Sequence, residues 1–194
     1  HHVVGPVMSE LEASIAENPT SIWISTAAGV RLDQLAAYLP AEQIVRMMPN
    51  TPVAIGQGMT TFATSQAENA RLFEDLMAQS GLVKQLPENL MDAATAIAGC
   101  GPAFIYELIE AMTAAGIQNG LTAQVAQDLA SQTVLGAAQM VLESDQHPAQ
   151  LRDQVTSPGG STIAGLVALT QAGFQAATIQ GVNQALERTK ELGQ

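Results

Sequence analysis

Cysteine is almost missing: Cys100 is the only one in 194 residues, which excludes an internal disulfide and any cysteine-rich zinc site. Histidine is scarce as well, confined to His1, His2 and His147. A metal centre and a Ser-His-Asp triad are therefore both poorly supported. Positive charge is low, with seven Lys+Arg against 18 Asp+Glu and a net charge of −11. Nucleic-acid binding rests on Lys and Arg neutralising phosphates, so that class of partner is disfavoured. No apolar run approaches the ~20 residues of a membrane helix, and nothing resembles a basic-then-apolar leader. These absences leave a soluble, cytoplasmic protein with no metal, nucleic-acid or membrane partner as the expectation. What is plentiful is apolar: 47% of residues are hydrophobic and 13% charged, enough to bury a core and too much for disorder.

The chain has no initiator methionine, and its first residue is expected to fall in mid-course. Val7, Met8, Leu11 and Ile15 form a helical stripe that Asn18-Pro19 breaks. Ser21 to Ser25 reads as a short buried strand ending in Thr26-Ala27-Ala28-Gly29. Leu32, Leu35, Ala36 and Leu39 make a second helical stripe, and Ile44 to Met47 a second strand running into Met48-Pro49-Asn50-Thr51-Pro52. A third strand is expected within 55–63, a helix over 69–79 with Leu72, Phe73, Leu76 and Met77 on one side, and a last strand over 81–85. Alternation of strand and helix through about residue 86 predicts a parallel sheet with helices packed on it. Ligands of such sheets bind beyond the carboxyl ends of the strands. The loops after the first two strands lie there, and as strand-to-helix punctuation alone they carry no ligand.

After Pro87 the pattern changes to long alanine-rich helices. Phe104, Ile105, Leu108, Ile109 and Met112 form a broad apolar stripe, Thr122 is placed to cap the next helix, and that helix runs to about Glu143. A further helix starts at His147-Pro148, and two more follow. Apolar residues lie on more than one side of these helices, so a partner subunit is the natural cover. Tyr106, Trp23 and the methionines read as core, Cys100 as a small packing residue and His147 as an exposed helix start.

Between these helices sits Asp153-Gln154-Val155-Thr156-Ser157-Pro158-Gly159-Gly160-Ser161-Thr162. Glycines at a helix start leave N–H groups pointing one way, which suits a carboxylate or phosphate. Ser157, Ser161 and Thr162 add hydroxyl donors. The same spacing also fits an ordinary helix start with Ser161 or Thr162 as N-cap, and on spacing alone that is the commoner case. Only Arg152 is cationic nearby, so a bound anion would depend on neutral donors.

Residues 151–166, from Leu151-Arg152-Asp153 through Ser161-Thr162-Ile163-Ala164-Gly165-Leu166, resemble the signature of pyrroline-5-carboxylate reductases. Ser25-Thr26-Ala27-Ala28-Gly29-Val30, Arg46-Met47-Met48-Pro49-Asn50-Thr51-Pro52, Gly99-Cys100-Gly101-Pro102-Ala103 and Leu135-Gly136-Ala137-Ala138-Gln139-Met140 resemble family segments in family order. The resemblance implies an α/β plus all-α chain: over 1–86 the C-terminal part of a Rossmann-type nucleotide-binding domain, over 87–194 an all-helical substrate-binding and dimerisation domain. It implies reduction of L-1-pyrroline-5-carboxylate to L-proline by NADPH or NADH, the last step of proline synthesis. It also implies an intertwined homodimer, which in the family often assembles into a ring of five dimers.

Carried over residue by residue, Ser157, Gly159, Gly160, Ser161 and Thr162 would hold the substrate carboxylate, with the Thr162 hydroxyl at the ring nitrogen as the catalytic contact. Asp145 falls where the family has a glutamate near the substrate, or it caps the helix after His147. Thr26, Ala27 and Ala28 would line the nicotinamide side, Asn50 and Thr51 its wall, and Gln154 and Glu88 would lie near the cofactor. One departure stands out: no glycine-rich G-x-G-x-x-G turn occurs before Val3. As written, the sequence lacks most of the dinucleotide grip, so a non-catalytic dimerisation fragment is the alternative expectation. A related Rossmann reductase acting on another imine or hydroxy acid is a third.

Overall fold

The computed structural model describes residues 4–193, so His1 and His2 lie outside the described residues. The chain forms two compact units, one holding the residues up to Pro102 together with those from Gly181 onward, the other Ala103–Gln180. The first contains α1 (Val4–Glu17), β1 (Trp23–Ser25), the single turn α2 (Leu32–Leu35), β2 (Ile44–Met48), β3 (Gly58–Ala63), α3 (Ala67–Met77), β4 (Gly81–Gln85) and α4 (Met91–Ala94). A π-helical turn, Thr95–Gly99, follows α4 directly.

The strands form a four-stranded sheet in the order β1-β2-β3-β4. β1 pairs parallel with β2, and β3 parallel with β4 through the α3 crossover. The sequence predicts a parallel sheet throughout, but β2 and β3 are antiparallel, with Arg46 opposite Ala63 and Met48 opposite Thr61. The cause lies in the connection. Only residues 49–57 separate the two strands, and a parallel crossover needs about a dozen or more. Ile55, where the third strand is expected to begin, instead ends the 3₁₀ turn Thr51–Ile55, which closes on Gly56 at φ 69°, and the strand starts at Gly58.

β2 is buried on both faces, as expected of a central strand. Val45 and Met47 point to one face, where they meet Phe62, Ala70 and Phe73. Phe62 and Phe73 pack with ring centroids 4.6 Å apart, tilted by 45°, within the favoured aromatic range. Leu72 and Leu76, expected on the same inward stripe, stay exposed. The opposite face packs Ile44 against Val30, Leu35 and Leu39, with Met8 and Ile15 of α1 and Trp23 beside them.

The second unit carries α5 (Gly101–Gln118, from Ala103 on), α6 (Ala123–Glu143), α7 (Pro148–Gln154), α8 (Ser161–Gln171) and the first part of α9 (Phe174–Leu192). Thr122 caps α6 as predicted, its hydroxyl accepting from Val125 N–H at 3.4 Å. A Cβ on Gly116 would lie 2.8 Å from that of Ala126, so the α5–α6 hairpin closes tightly there. Little else in this unit is covered within one chain. Leu142 is 71% exposed and Tyr106, predicted as core, 58% exposed; Met112 and Met140 are exposed too. The apolar stripes face outward because a single copy has no second layer to put on them. No single helix among the described residues is long and apolar enough to cross a membrane.

Candidate functional site

In the first unit the loops beyond β1 and β2 form the carboxyl-end edge of a parallel strand pair. Thr26-Ala27-Ala28 follows β1, and the Ala27 N–H donates to Ser25 Oγ at 3.4 Å. Gly29 ends this loop at φ 74°. A Cβ there would lie 2.7 Å from Gly193 N and 2.8 Å from Thr189 O, so only glycine lets the end of α9 approach the loop this closely. The Gln34 side chain donates to Gly193 O at 3.1 Å and reinforces the contact. A cavity of about 560 Å³ runs along β1 beneath α1, with Ser25 to Ala28 among its lining. Val7, Met8, Leu11 and Trp23 give most of that cavity the character of a packing surface.

Asn50 and Thr51 follow β2. Thr51 is exposed, whereas Asn50 is half-buried and bonded at both ends of its amide. Its Oδ1 accepts from Met59 N–H at 2.9 Å, and its Nδ2 donates to Ala98 O at 3.1 Å. Glu88 is engaged as well. Arg46 is 1% exposed, and its Nη1 donates to Glu88 Oε1 at 2.8 Å while Nη2 donates to Asp92 Oδ1 at 2.6 Å. The same Glu88 oxygen accepts from Leu32 N–H at 3.0 Å. One carboxylate therefore ties β2, the start of α2 and the turn after β4 together. Arg46 Nε and Glu88 Oε2 are buried without a hydrogen-bond partner among the described residues.

The second unit holds the serine-proline-glycine-glycine stretch by itself. The α7 helix ends with Thr156 Oγ1 donating to Arg152 O at 2.7 Å. Ser157 begins a turn that Gly160 N–H closes on Ser157 O at 3.1 Å, with Gly159 at φ 70°. The N-cap of α8 is Gly160, not Ser161 or Thr162, and no side chain caps the helix. Ser161 and Thr162 lie one and two positions inside, where their N–H groups have no carbonyl behind them. A Cβ on Gly160 would lie 2.4 Å from Ser157 Oγ, so the missing side chain is what lets the serine hydroxyl sit over the helix start. Ser157, Ser161 and Thr162 are exposed, and Arg152 is paired with Asp153 at 2.8 Å. Neutral donors at a helix start thus remain to meet an anion.

Gln154 donates to Gln146 Oε1 at 2.6 Å, and Asp145 is exposed beside that pair. Asp145 is not the N-cap of α7. His147 takes that role, accepting from Ala149 N–H at 3.2 Å while Gln150 accepts from His147 N–H at 2.9 Å. Thus Thr26, Ala27, Ala28, Asn50, Thr51 and Glu88 fall in the first unit, and Asp145, Gln154 and residues 157–162 in the second. Arg46, Asp92 and the Asn50–Ala98 bond enter the site only with the fold. Arg46 carries its own signal, since a lone charge in the apolar strand Ile44–Met48 must find partners when buried.

Residues 88–192 match the family model for pyrroline-5-carboxylate reductase dimerisation. The pyrroline-5-carboxylate reductase of Synechocystis is 42% identical over 191 residues, covering 96% of this chain and 72% of the relative. The human pyrroline-5-carboxylate reductase 2 is 38% identical over 198 residues, covering 98% of this chain and 61% of the relative. The crystal structure of Plasmodium falciparum pyrroline carboxylate reductase with NADP bound aligns at TM-score 0.88 and 33% identity, over 97% of this chain and 77% of that one. A Coxiella burnetii pyrroline-5-carboxylate reductase aligns at TM-score 0.89 and 37% identity, over the whole of this chain and 73% of that one. Ordered motifs, fold and matched length agree, and this chain belongs to the pyrroline-5-carboxylate reductase family.

Proposed function

We propose that the protein reduces L-1-pyrroline-5-carboxylate to L-proline with NADPH or NADH, and that Ser157 to Thr162 bind the substrate. The observation that carries this reading is the uncapped start of α8: unpaired N–H groups, a serine hydroxyl laid over them by Gly160, and no unpaired cation. A small carboxylate suits that set, because charge-assisted bonds from several neutral donors at a helix start replace a salt bridge. Thr162, on the first turn, presents a hydroxyl that can hold the imine nitrogen. It is too weak an acid to be the proton source, so the imine enters protonated or the hydroxyl relays a proton from water. Asp145 lies just before α7 as a further substrate residue.

A nicotinamide cofactor would supply the hydride when bound. The first unit fits the ring end of such a molecule: Thr26, Ala27, Ala28 and Thr51 are small, and they sit on the carboxyl-end loops where ligands of these sheets bind. Asn50 and Glu88 belong to the same cofactor end: the Asn50 amide and Glu88 Oε1 are also bonded to the frame, while Glu88 Oε2 has no partner among the described residues. Gln154, in the second unit, is a further cofactor residue of the same reading. The division into a nucleotide part over 1–86 and a substrate and dimerisation part from 87, a homodimer assembling further into a ring of five dimers, and residence in the cytoplasm belong to the same reading. The outward apolar faces of α5 and α6 supply the surface for the dimer.

Turnover of Thr162→Ala and Thr162→Ser in the intact polypeptide carrying this chain tests the assignment. Alanine should lower kcat/KM by about 10- to 100-fold, the weight of one hydrogen bond to a charged group, and serine should restore most of it. Near wild-type rates for Thr162→Ala would remove Thr162 from the reaction.

A further inference from the structure

The π-helical turn Thr95–Gly99 has a local cause. In a continuous α-helix, Ala98 C=O would accept from the N–H of residue 102. That residue is Pro102, which has no N–H and whose ring would press on the same carbonyl. The helix yields: Cys100 N–H reaches back five residues to Thr95 O at 3.1 Å, and α5 restarts at Gly101. Ala98 O then needs a donor from elsewhere, and Asn50 Nδ2 provides it at 3.1 Å. The other end of the Asn50 amide is fixed by Met59 N–H at 2.9 Å. The turn lies on the end of β2, where a Cβ on Gly99 would sit 3.7 Å from Met48 Cγ.

We infer that Asn50 is a positioning residue whose side chain replaces the N–H that Pro102 lacks, and so locks the Thr95–Pro102 break onto the loop after β2. It acts through Ala98 and Met59. Single-turn π insertions recur at functional sites because they re-aim backbone without ending a helix. Here the re-aimed backbone borders the loop that the proposed function gives to the nicotinamide, so the kinetic consequence rests on that reading. The lock itself does not.

Cys100, the only cysteine in the sequence and half-buried directly after the turn, reports on the lock. The experiment measures the rate at which a maleimide modifies Cys100, read by mass spectrometry of its peptide, in the intact protein. Asn50→Ala and Asn50→Asp should each speed modification about fivefold, as loss of one part-buried hydrogen bond raises the opening population. Asn50→Asp keeps an acceptor for Met59 and replaces the donor to Ala98 O by a charged oxygen, so it attacks the Ala98 bond while sparing the Met59 one. Adding Pro102→Ala supplies an N–H at position 102, removes the ring, and should bring the rate back to within about twofold of the parent. In parallel, the Asn50 variants should raise KM for NAD(P)H about fivefold with kcat changed by less than about twofold. Mere instability would instead lower kcat through lost active protein and leave KM alone. Unchanged Cys100 reactivity in both Asn50 variants, or no recovery with Pro102→Ala, overturns the inference. Absence of any turnover by the unmodified protein defeats the functional reading and leaves the Cys100 arm to judge the lock.

Discussion

Replacing Arg46 by methionine should destabilise the first unit by about 3 kcal/mol, the low end of what removing one partner of a buried ion pair costs. The structure sets that end of the range. Arg46 is 1% exposed while its partners Glu88 and Asp92 keep 27% and 25% exposure, so water can take up part of the stranded carboxylate charge. Glu88 also keeps its bond from Leu32 N–H, and methionine refills the volume of the arginine stem. The two carboxylates, however, are left converging on one spot with no cation between them. Urea unfolding at one fixed protomer concentration is the assay, because an oligomer's apparent stability depends on concentration. The midpoint should fall with little change in slope. Adding Glu88→Gln and Asp92→Asn to Arg46→Met removes the stranded charge and should recover part of the loss. A single-variant cost below about 1 kcal/mol, typical of an exposed pair, or a triple variant no more stable than the single, would refute the reasoning.

Gly29→Ala combines a left-handed φ of 74° with backbone atoms of Gly193 and Thr189 at 2.7 and 2.8 Å, and should cost about 3 kcal/mol in the same assay. Gly160→Ala has an ordinary extended backbone at φ −78°, ψ 172°, but its methyl would displace Ser157 Oγ. Stability should change by less than about 1 kcal/mol while KM for pyrroline-5-carboxylate rises about tenfold, and an unchanged KM would take the Ser157 hydroxyl out of the clamp. Leu142→Glu, on the outward face of α6, should shift the protein toward monomer in sedimentation velocity, with the helical content of its circular dichroism unchanged.

Where the sequence carries a local rule, it carries the fold. Thr122 caps α6 and His147-Pro148 opens α7 because capping and proline placement act over a few residues. The antiparallel β2–β3 pair escapes a pattern reading because alternation alone does not state connection length. On α3, Ala70, Phe73 and Met77 share the face that meets the core, while Leu72 and Leu76 are turned off it and stay exposed, a division that an apolar stripe alone does not state. The helical unit shows the reverse case. Its stripes are plain in the sequence, yet one chain leaves them exposed because the layer that covers them is not in that chain. At the site, the glycine-rich turn and its donors are legible from residues 157–162 alone. The Arg46–Glu88–Asp92 cluster and the Asn50–Ala98 bond join residues more than 40 positions apart, and no local rule brings them together. Family resemblance points to Glu88 and Asn50 as ligand residues, but only the fold shows that Asn50 and Glu88 Oε1 also hold the frame together.

The most direct test of the whole account is to give the intact polypeptide NAD(P)H and L-1-pyrroline-5-carboxylate, and to follow nicotinamide absorbance together with L-proline formed. Oxidation should depend on the imino acid, with one proline for each NAD(P)H consumed and sharply reduced turnover in Thr162→Ala. Substrate-independent oxidation, or no L-proline in the product, would contradict it.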